Sequence, residues 1–390
     1  MEKVLKFPEN FFWGASTSAY QVEGGIENSD WSESNPANKA CNHYLLFKED
    51  FDILKKLNLN AYRFSIEWSR LEPEKGKFDE KEIKHYLELL NSLKERKITP
   101  FLTLHHFTNP LWFTKEGGWA KKQNREYFLR FSEKVFKIFS PFVEWWILFN
   151  EPLIYASNAF LIGRWPPKKK NFVSFFKVLS NIIFCHKEIF KLFHKNQKNV
   201  KVGIAQSTIY FEPFGNSFFD KINAKICDYF WNRFLIEKIK ESLDFIGINY
   251  YSRAKVEFPF LFKTGSNYLS DIGWEIYPKG IFEVLKSFKK YKLPILITEN
   301  GIADASDEKR EKFIKEHLYW VWQAIKEGVN VKGYFYWSLL DNFEWDFGFE
   351  ARFGLVGVDF KNFERKIRPS ASFYSKVAAK NELFLNEKEN

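Results

Sequence analysis

Cysteine is scarce in this chain: there are three in 390 residues, Cys41, Cys185 and Cys227, widely spaced and with no CxxC pair. An odd, scattered set of thiols argues against a disulfide framework and a zinc knuckle, and the three read as reduced side chains in packing. No run of about 18 apolar residues occurs, so no transmembrane helix is expected. The first ten residues carry Lys3, Lys6 and Glu9 among a few apolar positions, too broken for the core of a signal peptide, and a cytoplasmic location is expected. Also missing are the GxGxxG turn of a dinucleotide sheet, the GxxxxGK[ST] phosphate loop, the GxSxG nucleophile elbow and the HExxH zinc motif. No cofactor and no metal are expected. Long single-sign charge runs are absent as well. Basic residues outnumber acidic ones, 59 to 49, but they are interspersed. The longest pure run, Lys168-Lys169-Lys170, follows Pro166-Pro167 and reads as a solvated loop, so no nucleic-acid partner is expected.

Aromatic residues are abundant, at 19% of the chain, with 45 Phe and 14 Trp. Most of the phenylalanine reads as core. Indoles at strand ends, beside polar side chains, are suited to stacking on sugar C–H faces. No internal repeat or linker interrupts the chain. Short apolar runs alternate with segments of helical period, and eight strands are predicted: Phe11–Ser16, Ala61–Trp68, Pro100–His106, Trp145–Glu151, Val202–Ser207, Phe245–Tyr251, Ile295–Asn300 and Gly333–Leu339. Helices are expected over Tyr44–Leu57, Glu80–Arg96, Arg125–Phe139, Phe172–Phe193, Phe218–Lys240, Ile281–Lys289 and Asp307–Lys326, with a last one after Pro369. Eight βα units without a boundary predict an α/β fold, one (β/α)8 TIM barrel forming a single catalytic domain over residues 1–390.

Such barrels carry their chemistry at the carboxyl ends of the strands. Read in order, those ends offer Gln21 and Glu23; Arg63, Glu67 and Arg70; His105 and His106; Asn150 and Glu151; Asn249, Tyr250 and Tyr251; Glu299 and Asn300; then Trp337, Asp341, Asn342, Glu344 and Trp345. Adjacent strand residues face opposite ways, so His105 and His106 are not expected to share a metal ion; one points inward and one into packing. Glu151 and Glu299 each end an intensely apolar strand. Two carboxyl groups facing each other across a barrel mouth are what glycoside hydrolysis needs, one protonated and one ionised. Arg63 and Tyr251 lie in the same mouth, where a cation and a phenol near one glutamate favour its charged form.

The motifs resemble those of glycoside hydrolase family 1, the retaining β-glycosidases, over nearly the whole chain. They are Phe11-Phe12-Trp13-Gly14-Ala15-Ser16-Thr17-Ser18-Ala19-Tyr20-Gln21-Val22-Glu23-Gly24, Tyr62 to Arg70, Thr103 to Phe107, Asn150-Glu151-Pro152, Asn249-Tyr250-Tyr251, Ile297 to Gly301 and Trp337 to Trp345. The resemblance implies a β-glucosidase-like hydrolase of carbohydrate metabolism that removes terminal non-reducing β-glycosyl residues by double displacement, with a small β-glycoside as its partner. It makes Glu151 the acid/base and Glu299 the nucleophile, with Arg63 and Tyr251 in support and Asn249 close to the site. Asn150 would bond the 2-hydroxyl, Gln21, His106, Glu344 and Trp345 would grip the 3- and 4-hydroxyls, and Trp337 would floor the ring. Retaining geometry sets the carboxyl groups about 5–5.5 Å apart.

Phe107 departs from the family, where tryptophan is frequent, and the chain is shorter than most members. The shortening is expected after strand 5 and between Ser252 and Ile276, giving an open, apolar aglycone site helped by Phe258, Phe260, Leu261 and Phe262. Three alternatives stand beside hydrolysis. Transglycosylation shares the covalent intermediate. A 6-phospho-β-glycosidase is disfavoured because a Glu344 carboxylate repels phosphate. A sugar-binding pseudoenzyme is disfavoured because both glutamates are present.

Overall fold

The computed structural model describes residues 3–385. Eight parallel strands form the barrel: β1 (Phe12–Ser16), β2 (Ala61–Ser65), β3 (Thr99–His105), β4 (Trp145–Asn150), β5 (Lys201–Pro213), β6 (Phe245–Glu257), β7 (Ile295–Asn300) and β8 (Val331–Trp337). They pair in sequence order, β8 pairs with β1, and every barrel pairing is parallel, so the sheet closes. One principal helix follows each strand: α1 (His43–Lys56), α2 (Glu80–Glu95), α3 (Arg125–Phe139), α4 (Phe172–Asn196), α5 (Phe218–Asp228), α6 (Lys279–Phe288), α7 (Arg310–Lys326) and α8 (Pro369–Lys380). The predicted (β/α)8 fold is the observed one. No helix of the described residues is long and apolar enough to cross a membrane.

Local chemistry sets the element boundaries. Asp79 caps α2 by accepting from the Lys81 and Glu82 amides, and Ile83, Tyr86, Leu89, Leu90 and Leu93 then repeat at helical spacing and are buried. Inside the barrel, Ala61, Phe101, Ile147, Ala205, Phe245, Leu296 and Phe335 pack into a floor, flanked by Phe12 and Trp145. Gly203 admits the Phe245 ring, which lies 2.6 Å from where a Cβ would stand.

Several boundaries differ from expectation: among them, the helix expected over Phe218–Lys240 ends at Asp228, and the strand expected over Gly333–Leu339 spans Val331–Trp337. Strand β2 stops at Ser65, because Glu67 caps a short helix, Trp68–Leu71, by accepting from the Ser69 amide. Strands β5 and β6 run on to Pro213 and Glu257 as one paired ladder, and Leu261–Lys263 folds back on β6 as a hairpin. At the amino-terminal end of the barrel, Lys3–Lys6 pairs antiparallel with Glu382–Leu385.

Candidate active site

Period two carries several floor residues straight up into the mouth. Ala61 on β2 is followed two residues later by Arg63, Phe245 on β6 by Asn249 and Tyr251 further along the same face, and Phe335 on β8 by Trp337. Strict alternation from Ile147 would turn Asn150 outward. A register shift against β5 between Ile147 and Asn150 brings it inward instead. Another shift, between β6 and β7, brackets Thr298 and aims Glu299 at the site. Glu151 takes a left-handed backbone (φ 42°), and Pro152 opens the next helix. That is a costly conformation for a glutamate, of the kind concentrated at functional sites.

These side chains meet in one buried network. Arg63 is wholly buried; it forms an ion pair with Glu299 Oε1 and donates from Nη2 to Asn150 Oδ1 at 2.7 Å. The Tyr251 hydroxyl donates to Glu299 Oε2 at 2.6 Å. Burial and the neighbouring carboxylates push the Tyr251 phenol well up, which keeps its proton available for that bond. On the opposite side, Asn249 Nδ2 donates to Glu151 Oε1 at 2.9 Å, and Asn249 Oδ1 accepts from Thr298 Oγ1 at 2.6 Å. Burial first, and the charge of Glu299 second, push the Glu151 carboxyl up to about 8, against the Asn249 bond and Arg63. One carboxyl therefore holds its proton at neutral pH while facing a carboxylate in an ion pair.

Asn150 Oδ1 accepts from both Arg63 and Asn249, so Nδ2 is its donor and His106 Nε2 (3.1 Å) is the acceptor. Burial and Arg63 push the His106 imidazole well down, leaving a neutral ring whose Nδ1 has no hydrogen-bond partner among the described residues. His105 faces away, bonded to Asn109 and packed against Trp119 and Phe149. The Trp337 indole donates to Glu344 Oε1 at 2.9 Å. Trp345 stacks near-parallel on Tyr20 and His106. Gln21 is turned inward: its amide donates to Asn342 Oδ1 and the Phe343 carbonyl, which positions the loop bearing Glu344. Glu23 and Arg70, also at strand ends, are spent on an ion pair with each other.

The cleft encloses about 410 Å3 and is lined by His106, Asn150, Glu151, Tyr251, Glu299, Trp337, Glu344 and Trp345 among others. Its outer wall is apolar, with Ile154, Ile209, Trp274, Phe347 and Phe353. None of these five was singled out by sequence. Each is an ordinary apolar residue in a loop, on a strand extension or at a helix start, without a local signal. Phe107, the family departure, packs on Trp165 and Trp345 and walls the cleft. Phe258, Phe260, Leu261 and Phe262 do not line the cleft. The β5–β6 ladder continues past Tyr251 and holds that hairpin beyond the rim. The charge of Glu344 also differs from expectation: burial pushes its carboxyl up to about 8, so repulsion by its charge is not what disfavours a phosphate. The cations of the cleft are instead already matched, Arg63 by Glu299, Arg164 by Asp346, and Arg253 by Glu212 and Glu275.

Comparison with known proteins agrees with the geometry. A β-glycosidase from Pyrococcus horikoshii superimposes with a TM-score of 0.94 at 39% identity, covering 98% of this chain and 96% of that one. A 1,4-beta-D-glucan glucohydrolase of Thermotoga neapolitana is 34% identical over 97% of this chain and 99% of its own length. A 6-phospho-beta-galactosidase of Staphylococcus epidermidis is 30% identical over 97% and 99%. The model of glycosyl hydrolase family 1 matches residues 3–239 and 235–383. With a closed (β/α)8 barrel, two facing glutamates at its carboxyl mouth and this match over almost every described residue, the chain belongs to glycosyl hydrolase family 1.

Proposed function

We propose that the protein is a retaining β-glycosidase acting on β-D-glucosides, with Glu299 as nucleophile and Glu151 as acid/base. The carrying observation is the asymmetry of the pair: the Glu151 carboxyl is raised to about 8, while both oxygens of Glu299 are held by Arg63 and Tyr251. Glu299 attacks the anomeric carbon, and the glycosidic C–O bond breaks as the leaving oxygen takes the Glu151 proton. The product is a glycosyl ester of inverted configuration. Esterification removes the negative charge of Glu299, one of the two causes holding the Glu151 proton. Glu151 thus becomes a better proton acceptor for water just when one is needed. It takes a proton from water, water attacks the anomeric carbon, the ester breaks, and the second inversion restores the β configuration.

The apolar outer wall favours alkyl or aryl aglycones, and the relative that hydrolyses glucan supports glucose as the sugar. A 6-phospho-sugar is disfavoured despite the staphylococcal relative, because Arg164 and Arg253, which line the cleft, and Arg63 buried beside it all face carboxylates. The test is proton NMR of nitrophenyl β-D-glucoside hydrolysis: β-glucose appears first and mutarotates later. First appearance of the α anomer would overturn the mechanism.

A further inference from the structure

Strands β5 and β6 continue past Ser207 and Tyr251, which both line the cleft, and end in a platform that the chemistry above does not use. Helix α5 follows β5, and the Leu261–Lys263 hairpin folds back on β6. On α5, Phe218, Phe219, Ile222 and Ile226 are exposed, Phe218 at 71%, while Asn223 and Ala224 turn into the protein. Their spacing draws one apolar stripe down the solvent side of the helix. Across from it, Phe258, Phe260, Leu261 and Phe262 at the hairpin are each 47–60% exposed. The two parts form one surface: the Phe219 and Phe258 rings lie 5.4 Å apart, and the Phe258 amide donates to buried Asp220 at 2.9 Å. Five phenylalanines at these exposures present on the order of 500 Å2 of ring surface. A patch of that size is at the upper end for a monomer and marks a binding surface.

Charge selects what it binds. Lys221 and Lys225 stand exposed on the same helix and form no ion pair among the described residues. Most neighbouring acids are engaged within the protein: Asp220 is buried, Asp228 pairs with Arg233, and Glu257 pairs with Lys263, while half-buried Glu283 on α6 shares a groove with the two lysines. A second copy of the chain would set lysines against lysines, whereas a bilayer bearing anionic phospholipids sets them against phosphate. We propose that this face docks on the surface of an anionic phospholipid bilayer, with the phenyl rings at the acyl–headgroup boundary and the two lysines at the level of the phosphates. Ile209, Arg253 and Ala254, on the same two strands, line the cleft. Docking therefore brings the mouth close to lipid, where amphiphilic glycosides gather. The face itself is independent of the carboxylate chemistry.

The experiment is co-sedimentation of the full chain with vesicles of phosphatidylcholine alone and of phosphatidylcholine with phosphatidylglycerol. Binding is expected to the anionic vesicles and to weaken in high salt. The pair Phe218→Ser with Phe262→Ser, and separately Lys221→Glu with Lys225→Glu, should each lower partitioning about tenfold or more. Each should leave kcat/KM on a nitrophenyl glucoside in free solution unchanged, which also reports on folding. Binding to neither vesicle, equal binding to both, or binding indifferent to both pairs of substitutions overturns the proposal. So does a lipid-free dimer, seen by sedimentation equilibrium, that the Phe218→Ser/Phe262→Ser variant dissociates, since a second copy would then own the face.

Discussion

Asn249 places its amide nitrogen 2.9 Å from Oε1 of Glu151, the carboxyl that burial and Glu299 raise to about 8. A donor facing a carboxylate favours the charged form and so opposes that rise. Glu151 must carry its proton to act as the acid, so kcat/KM is expected to fall as pH rises through about 8. Asn249→Ala removes the opposing donor, and the falling limb should move up by about one pH unit, the worth of one such hydrogen bond. A limb that stays in place or moves down would show that another group sets it.

The two glutamates can be told apart by stereochemistry. With a dinitrophenyl β-glucoside, whose leaving group needs no proton, Glu299→Gly should lose activity by more than about 10^4-fold. Added azide should restore turnover through α-glucosyl azide, formed in one inversion. Glu151→Ala keeps the ester-forming step, and azide should then give β-glucosyl azide. The opposite pairing of products would exchange the two roles.

The apolar outer wall makes a prediction about aglycones. Octyl β-glucoside should exceed cellobiose in kcat/KM, since each methylene taken out of water contributes about 0.8 kcal/mol. Ile209→Asn with Phe347→Ser should lower that ratio about tenfold while leaving kcat/KM on cellobiose within about twofold. Equal or better use of cellobiose by the unmodified protein would remove the apolar subsite.

Stability should depend on a pair far from the cleft. Arg365 reaches Asp50 with Nε at 2.9 Å and Nη2 at 3.0 Å, and both side chains are buried. Burial alone would raise the Asp50 carboxyl, but His43 and Arg365 outweigh it and hold it below the usual carboxylate range. Its contribution is therefore present above the unfolded value and lost as pH falls through the folded one. Asp50→Ala strands a buried guanidinium and should cost about 3–5 kcal/mol in urea unfolding at neutral pH. A loss below about 1 kcal/mol would place the pair among exposed bridges of little worth.

Much of this was legible in the sequence because period and punctuation agreed. Arg125–Phe139 and Ile295–Asn300 begin and end where the pattern placed them, and the strand ends named the groups that meet in the cleft. The ladder beyond Ser207 and Tyr251 has no strand signature in the sequence, because its pairing is made between two distant segments. Alternation alone also misdirects Asn150 and Glu299. Only the register shifts, which belong to the assembled sheet, turn them inward. Gln21 has the expected place at a strand end, and its bonds to Asn342 and Phe343, set by loop packing, could not be read from the sequence.

The pairing of Lys3–Lys6 with Glu382–Leu385, secured by Asn381 accepting from the Trp13 indole, brings the two ends of the described chain together on the side of the barrel away from the catalytic mouth. An affinity handle, a surface tether or a fusion partner joined at either end should therefore leave substrate entry unobstructed. A short peptide bridging the two ends would make circular permutants practicable, with new termini opened in any exposed helix-to-strand turn on that same side.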